Sequence, residues 1–149
     1  MPLTVPTSDD TNGPEVADMR LAAAYMAALA IFVVVDFVWL GFVMKDFYRA
    51  SIGHLMGDSF NIPAAIAFYL IYVAGIVVFA VNPAFTQGDV MKAALLGVAF
   101  GFFAYATYDL TNLATLRDWP LAMTLADLAW GSVLTGAVSA FGYAAAKLV

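Results

Sequence analysis

Cysteine is absent from the sequence, and histidine occurs once, at His54. Without cysteine there are no disulfides, thiolate metal sites, iron–sulfur clusters or thiol nucleophiles, and a single histidine excludes a multi-histidine metal or haem site. Charged residues are also scarce, at 11% of 149 residues, against about 25% in a soluble domain. Six Lys and Arg residues against eleven Asp and Glu residues leave no basic surface for a nucleic-acid backbone, which excludes nucleic-acid binding.

Long apolar segments take up most of the chain instead. A bilayer core of about 30 Å needs roughly 20 helical residues, and four segments reach that length: residues 21–44, 63–81, 93–114 and 121–146. Backbone groups in lipid must pair within their own segment, so each segment is predicted to be an α-helix. The predicted fold is all-α, a four-helix transmembrane bundle that forms a single domain over residues 21–149 within the lipid bilayer.

The segments outside these helices have their own patterns. Residues 1–20 hold three prolines and four acidic residues without apolar periodicity, and they predict a disordered acidic tail. The connection 45–62 predicts a short interfacial helix between the first two membrane helices, with a plain amphipathic linker as the alternative. Its apolar face consists of Tyr48, Ile52, Leu55, Met56 and Ser59. The pair Asn82-Pro83 is predicted to end the second membrane helix.

Acidic side chains occur within three of the four predicted membrane helices. At 1.5 Å per residue, Asp36 lies about 12 Å below the surface that carries the 45–62 connection, and Asp109 and Asp127 lie about 8–9 Å below it. An ionisable residue at the centre of a helix costs about 2.5–3.5 kcal/mol on insertion, so three at one level are not expected by chance. The same layer contains further polar and aromatic candidates: Tyr69, Tyr72, Tyr108, Asn112, Trp39 and Trp130.

No Lys, Arg or His lies within the four predicted helices to balance these acids. Like charges a few ångströms apart cannot all ionise in a low dielectric, so a shared proton, a bound cation or a cationic ligand is expected. Alternatively, the acids are protonated and only hydrogen-bond neighbouring helices. Asp36, Asp109 and Asp127 have no local metal-ligand spacing, so no metal site and no cofactor are predicted.

A row of small residues on the third membrane helix allows close approach of another helix. It consists of Ala94, Gly97, Gly101 and Ala104. The approaching helix belongs either to the same chain or to a second copy, which leaves a homodimer open. Lysine and arginine are divided three against three between the two sides of the membrane, so the positive-inside rule predicts no orientation.

Three stretches of the sequence resemble a family of bacterial membrane proteins, domain of unknown function 2177 (DUF2177). They are VVVDFVWLGFVMKDFYR at 33–49, PAAIAFYLIYVAGIVVFAVNPA at 63–84 and FGFFAYATYDLTNLATLRDWPL at 100–121. The resemblance extends from about Ala28 to about Leu134, and TYDLTNLATL is its most specific part. It implies a multi-pass protein of the bacterial cytoplasmic (inner) membrane, and it transfers no activity or site residue.

These patterns together lead to a functional hypothesis. A polar pocket opens towards the 45–62 side and binds a proton, a cation or a cationic small molecule, with Asp36, Asp109 and Asp127 as charge ligands and Tyr108 and Asn112 as orienting partners. Transport in exchange for protons is the leading interpretation. An enzyme that acts on a lipid or isoprenoid, with a protonated aspartic acid as general acid, is the second. The third interpretation is an accessory subunit of a membrane complex, in which the acids only hold the helices of the bundle together.

Overall fold

The computed structural model describes residues 13–86 and 89–149. Helix α1 covers Pro14–Val38 and continues through a π-helical turn at Trp39–Val43; the short helix α2, Lys45–Ile52, is followed by a 3₁₀ turn at Gly53–Leu55. Helix α3 covers Ile62–Ile76 and continues through a π-helical turn at Val77–Val81 and an α-helical turn at Asn82–Phe85. Helix α4 covers Val90–Thr115, and helix α5 covers Leu121–Ala146.

Within the described residues, α1, α3, α4 and α5 are long and apolar enough to cross a membrane. The same part of the chain contains no β-strand, and α2 lies between the first two membrane helices. The predicted all-α fold, a four-helix transmembrane bundle with a short helix after the first span, is therefore confirmed.

Helix α1 begins at Pro14 rather than at the predicted Leu21. Proline suits the first helical turn because its φ is already helical and its missing N–H needs no partner there. Glu15 lies in the same turn, where the helix dipole favours a negative charge. Residues 14–20 of the predicted acidic tail are therefore helical, and residues 1–12 lie outside the described residues.

The pair Asn82-Pro83 does not end helix α3, contrary to the prediction. The preceding turn, Val77–Val81, is π-helical, and the Asn82 N–H donates to the carbonyl of Val77, five residues earlier. Pro83 has no N–H to donate, and the wider turn rearranges the hydrogen bonds next to that gap. The helix consequently continues to Phe85.

Helices α4 and α5 pack closely against each other. Gly97 faces Ser139, and Gly101 faces Gly131 and Thr135, so the two helices are antiparallel, as their short connection predicts. A Cβ atom on Gly101 would lie 2.6 Å from Thr135 Oγ1, which leaves no room for a side chain. The row of small residues therefore packs against α5 of the same chain at Gly97 and Gly101.

An apolar core joins α1, α3 and α5 in the middle of the bundle. Phe32, Val73, Ile76 and Val138 are fully buried there, and the Phe32 ring centroid lies 5.3 Å from that of Tyr72. This core separates the end of the bundle that carries α2 from the end where α1 begins. The three aspartates all lie on the α2 side of it.

Candidate functional site

Three buried aspartates lie together in the bundle. Asp36 on α1, Asp109 on α4 and Asp127 on α5 are 4%, 0% and 5% exposed, respectively. Asp127 is close enough to each of the other two for their charges to interact. The folded chain thus brings together the three carboxylates that the sequence places at similar depth.

Asp36 is held by two aromatic donors from other helices. The Tyr69 hydroxyl donates to Asp36 Oδ2 at 2.9 Å, and Trp130 Nε1 donates to Asp36 Oδ1 at 3.5 Å. The indole of Trp130 stacks on that of Trp39, with ring centroids 3.9 Å apart and planes inclined by 5°. These neutral side chains orient the carboxylate of Asp36 but bring no positive charge to it.

Asp127 is bonded by a residue of α2. The Tyr48 hydroxyl donates to Asp127 Oδ1, and Trp39 Nε1 donates to the Tyr48 oxygen at 3.4 Å. Burial raises the pKa of Tyr48 above its ordinary value, and the bond to the Asp127 carboxylate raises this pKa further. Tyr48 therefore keeps its proton at neutral pH and remains a neutral donor to Asp127.

Helix α2 covers the acidic end of the bundle. Its residues Tyr48 and Ile52 line a cavity between the helices, whereas Leu55 and Met56, which follow α2 and share its predicted apolar face, are exposed. Tyr48 was not among the predicted site residues. The sequence signal for it was its i, i+4 spacing with Ile52 on one apolar face, but only the fold shows what that face contacts.

The cavity has a volume of about 490 Å³, which is in the range of sites for drug-sized ligands. All five helices contribute to its wall, and no Lys, Arg or His is among the described residues that line it. The wall combines two carboxylates with aromatic and apolar side chains. Its residues are Asp36, Leu40, Tyr48, Ile52, Phe68, Tyr72, Ala104, Tyr105, Tyr108, Met123, Asp127 and Trp130.

Asp109 lies outside the wall of the cavity. Its side chain is fully buried, and neither carboxylate oxygen has a hydrogen-bond partner among the described residues. The titratable groups close enough to interact with it are Asp127 on α5, Tyr48 on α2 and the adjacent Tyr108. None of these groups is positively charged at neutral pH, so a charged Asp109 would be strongly destabilised.

The other predicted site residues differ in their positions. Tyr72 and Tyr108 line the cavity; Tyr72 shares a hydrogen bond of 2.9 Å with Thr135, and Tyr108 packs edge-on against Trp119. Tyr69, Trp39 and Asn112 are not part of the wall.

The predicted role of Tyr108 and Asn112 as orienting partners of a bound ligand stays a prediction. In the described part of the chain, the donors to Asp36 and Asp127 are Tyr48, Tyr69 and Trp130. Tyr105, one helical turn before Asp109, lines the cavity as well and was missed as a site residue.

A family model described as a predicted membrane protein (DUF2177) matches residues 21–144. No curated protein and no solved structure matches the chain. The matched range runs from α1 into the last turn of α5 and includes every residue of the cavity wall. The chain belongs to the DUF2177 family of predicted membrane proteins.

Proposed function

We propose that this member of the DUF2177 family is a small transporter of the bacterial cytoplasmic membrane, which binds an organic cation in the cavity at Asp36 and Asp127 and exchanges it for protons. The observation that carries the proposal is the composition of the cavity wall, where two carboxylates and several aromatic rings occur without a lining Lys, Arg or His among the described residues. Neutral donors such as Tyr48 and Tyr69 cannot cancel a negative charge, so a buried carboxylate needs a cation or a proton.

The wall favours an organic cation with an apolar body over a metal ion. Aromatic rings attract cations by about 0.5–2 kcal/mol each, and the apolar side chains give contact to a hydrocarbon body. A calcium or magnesium ion needs about six oxygen ligands. Among the residues described, no group of three or more His, Cys, Asp or Glu side chains could hold a metal ion.

Asp109 supports the proton part of the proposal. It is buried without a hydrogen-bond partner in the described chain, and a proton removes the charge that this environment disfavours. Asp127 is close enough to act on it electrostatically. A cation bound at Asp127 compensates the charge of that carboxylate and so favours release of the Asp109 proton, which is the linkage that an exchanger requires.

Equilibrium dialysis of the purified protein with benzyltrimethylammonium tests the binding step. Neopentylbenzene has the same shape without the charge and serves as the ligand control. We expect Asp36→Asn and Asp127→Asn each to weaken affinity for the cation by about 30-fold or more, because loss of one partner of a buried charge pair costs about 2–5 kcal/mol.

Asp46→Asn, on an exposed position of α2, is the matched protein control and should leave the affinity unchanged. Equal binding of the neutral compound would contradict the proposal. So would an unchanged affinity in both cavity variants.

Proteoliposomes test the exchange step. Uptake of benzyltrimethylammonium by the wild-type protein should be accompanied by proton movement in the opposite direction, followed with a pH-sensitive dye trapped inside. Asp109→Asn should still bind the cation but should lose the proton movement. Cation uptake by the wild-type protein without a change in internal pH would refute exchange while leaving the binding step intact.

A further inference from the structure

A second cleft lies at the opposite end of the bundle from the aspartates. It has a volume of about 220 Å³ and is lined by Arg20 near the start of α1, Phe85 at the end of α3 and Lys147 directly after α5. We propose that this cleft binds the phosphate of an anionic membrane lipid. The proposal is independent of the function assigned to the cavity at Asp36 and Asp127.

The charges in the cleft carry the argument. Two cationic side chains from different parts of the chain face one small space, and no Asp or Glu is among the described residues that line it. The Arg20 Nε–H is buried and has no hydrogen-bond partner in the described ranges. Lys147 Nζ lies 5.5 Å from the centroid of the Tyr143 ring, a contact that leaves its N–H donors available. An anion with several oxygens satisfies both side chains and removes their repulsion.

The acids of the first turns of α1 do not belong to this cleft. Glu15 and Asp18 are exposed, and neither is part of the wall formed by Arg20, Phe85 and Lys147. The wall of the cleft therefore contains the two cations without the acids that precede Arg20 in sequence.

The depth of the cleft in the membrane indicates a lipid as the source of the phosphate. Lys147 follows the last residue of α5, and Phe85 is the last helical residue of α3. Helix α1 with its π-helical turn has 30 residues, about 45 Å in length, which exceeds the hydrocarbon core of about 30 Å. The apolar segment of this helix begins at Leu21, so the first turns, with Arg20, extend to the level of the headgroups, where basic pockets between helices bind lipid phosphates.

Lipid retention tests the site. Native mass spectrometry of the protein incubated with equal amounts of phosphatidylglycerol and phosphatidylcholine should show phosphatidylglycerol retained about tenfold more, since each basic residue favours an anionic headgroup. Phosphatidylcholine has the same phosphate but carries a balancing cation, so the comparison isolates net charge. Arg20→Gln combined with Lys147→Gln should abolish this preference, whereas Lys45→Gln combined with Arg117→Gln, exposed residues at the other end, should keep it.

Thermal unfolding separates a lipid from free phosphate. Phosphatidylglycerol should raise the Tm of the wild-type protein more than inorganic phosphate does, and an equal rise with inorganic phosphate would overturn the lipid assignment. Lys147 is exposed, so Lys147→Gln alone provides a folded variant even where Arg20→Gln does not fold. Equal retention of the two lipids by the wild-type protein, or unchanged retention in Lys147→Gln, would overturn the site itself.

Discussion

Removing the Tyr48 hydroxyl tests whether α2 holds the acidic end of the bundle together. Tyr48→Phe deletes the donor to Asp127 and the acceptor of Trp39 Nε1 but keeps the ring. A hydrogen bond to a charged group contributes about 1.5–3 kcal/mol in soluble proteins, whereas polar pairs between membrane helices average about 0.6 kcal/mol and reach about 1.7. Tyr48 is half-buried and outside the membrane-crossing helices, so we expect the free energy of unfolding to fall by about 1–2 kcal/mol.

A double-mutant cycle isolates the contact between the two side chains. Tyr48→Phe and Asp127→Asn together should cost less than the sum of the single changes, by about 1 kcal/mol. The free energy of unfolding is measured by denaturant titration in detergent micelles, followed by circular dichroism. Tyr25→Phe is the matched control, because it deletes a bond of 3.1 Å to the Leu70 carbonyl and should show no coupling to Asp127.

The sign and size of the coupling decide the outcome. If both single variants fold and the coupling energy is zero, the hydroxyl of Tyr48 is not bonded to Asp127 in the folded protein and the reasoning is refuted. If Tyr25→Phe couples to Asp127 as strongly as Tyr48→Phe does, the effect is a general loss of stability and the specific contact is again refuted.

Three further predictions concern packing, pH and protonation. Gly101→Ala should lower the free energy of unfolding by about 1–3 kcal/mol through overpacking against Thr135, whereas Gly53→Ala, with its nearest neighbouring atom 3.7 Å away, should change the Tm little. Because the pKa of Tyr48 is raised in the folded protein, its contribution to the free energy of unfolding is complete below the ordinary tyrosine pKa of about 10 and is lost as the pH rises towards the raised value. Above about pH 10, the Tm of the wild-type protein should therefore fall more steeply than that of Tyr48→Phe. In infrared difference spectra of wild-type protein minus variant at neutral pH, Asp109→Asn should show the loss of a carboxylic acid C=O band, and Asp46→Asn should show no such loss; absence of this loss in Asp109→Asn would show that Asp109 is ionised.

The number and type of helices could be predicted because the bilayer requires long apolar segments with internal hydrogen bonding. The ends of the helices were harder to predict, because each end depends on the hydrogen bonding of a single turn. Hydropathy does not report that Pro14 starts a helix, or that a π-helical turn before Pro83 lets α3 continue to Phe85. In both cases the local backbone hydrogen bonds determine where the helix begins or ends, and the mean hydropathy of a segment contains no information about them.

The aspartates could be brought to one region from sequence because the rise per residue of a helix is fixed. The direction in which each side chain faces could not be predicted, because it depends on how the helices pack. Asp36 and Asp127 face the cavity, while Asp109 is buried outside its wall with no hydrogen-bond partner among the described residues. Tyr48 reaches the site from outside the four membrane helices, and depth arithmetic on those helices could not include it.

The π-helical turn at Trp39–Val43 has a mechanical consequence. The Met44 N–H bonds the Trp39 carbonyl, five residues earlier, at 2.8 Å, so α1 accommodates one residue more than an α-helical turn would. A return to α-helical bonding would shift the chain that follows by about 1.5 Å and rotate it by about 100°. Helix α2 would turn with it and withdraw Tyr48 from Asp127. The π-helical register of α1 is therefore what places Tyr48 next to Asp127.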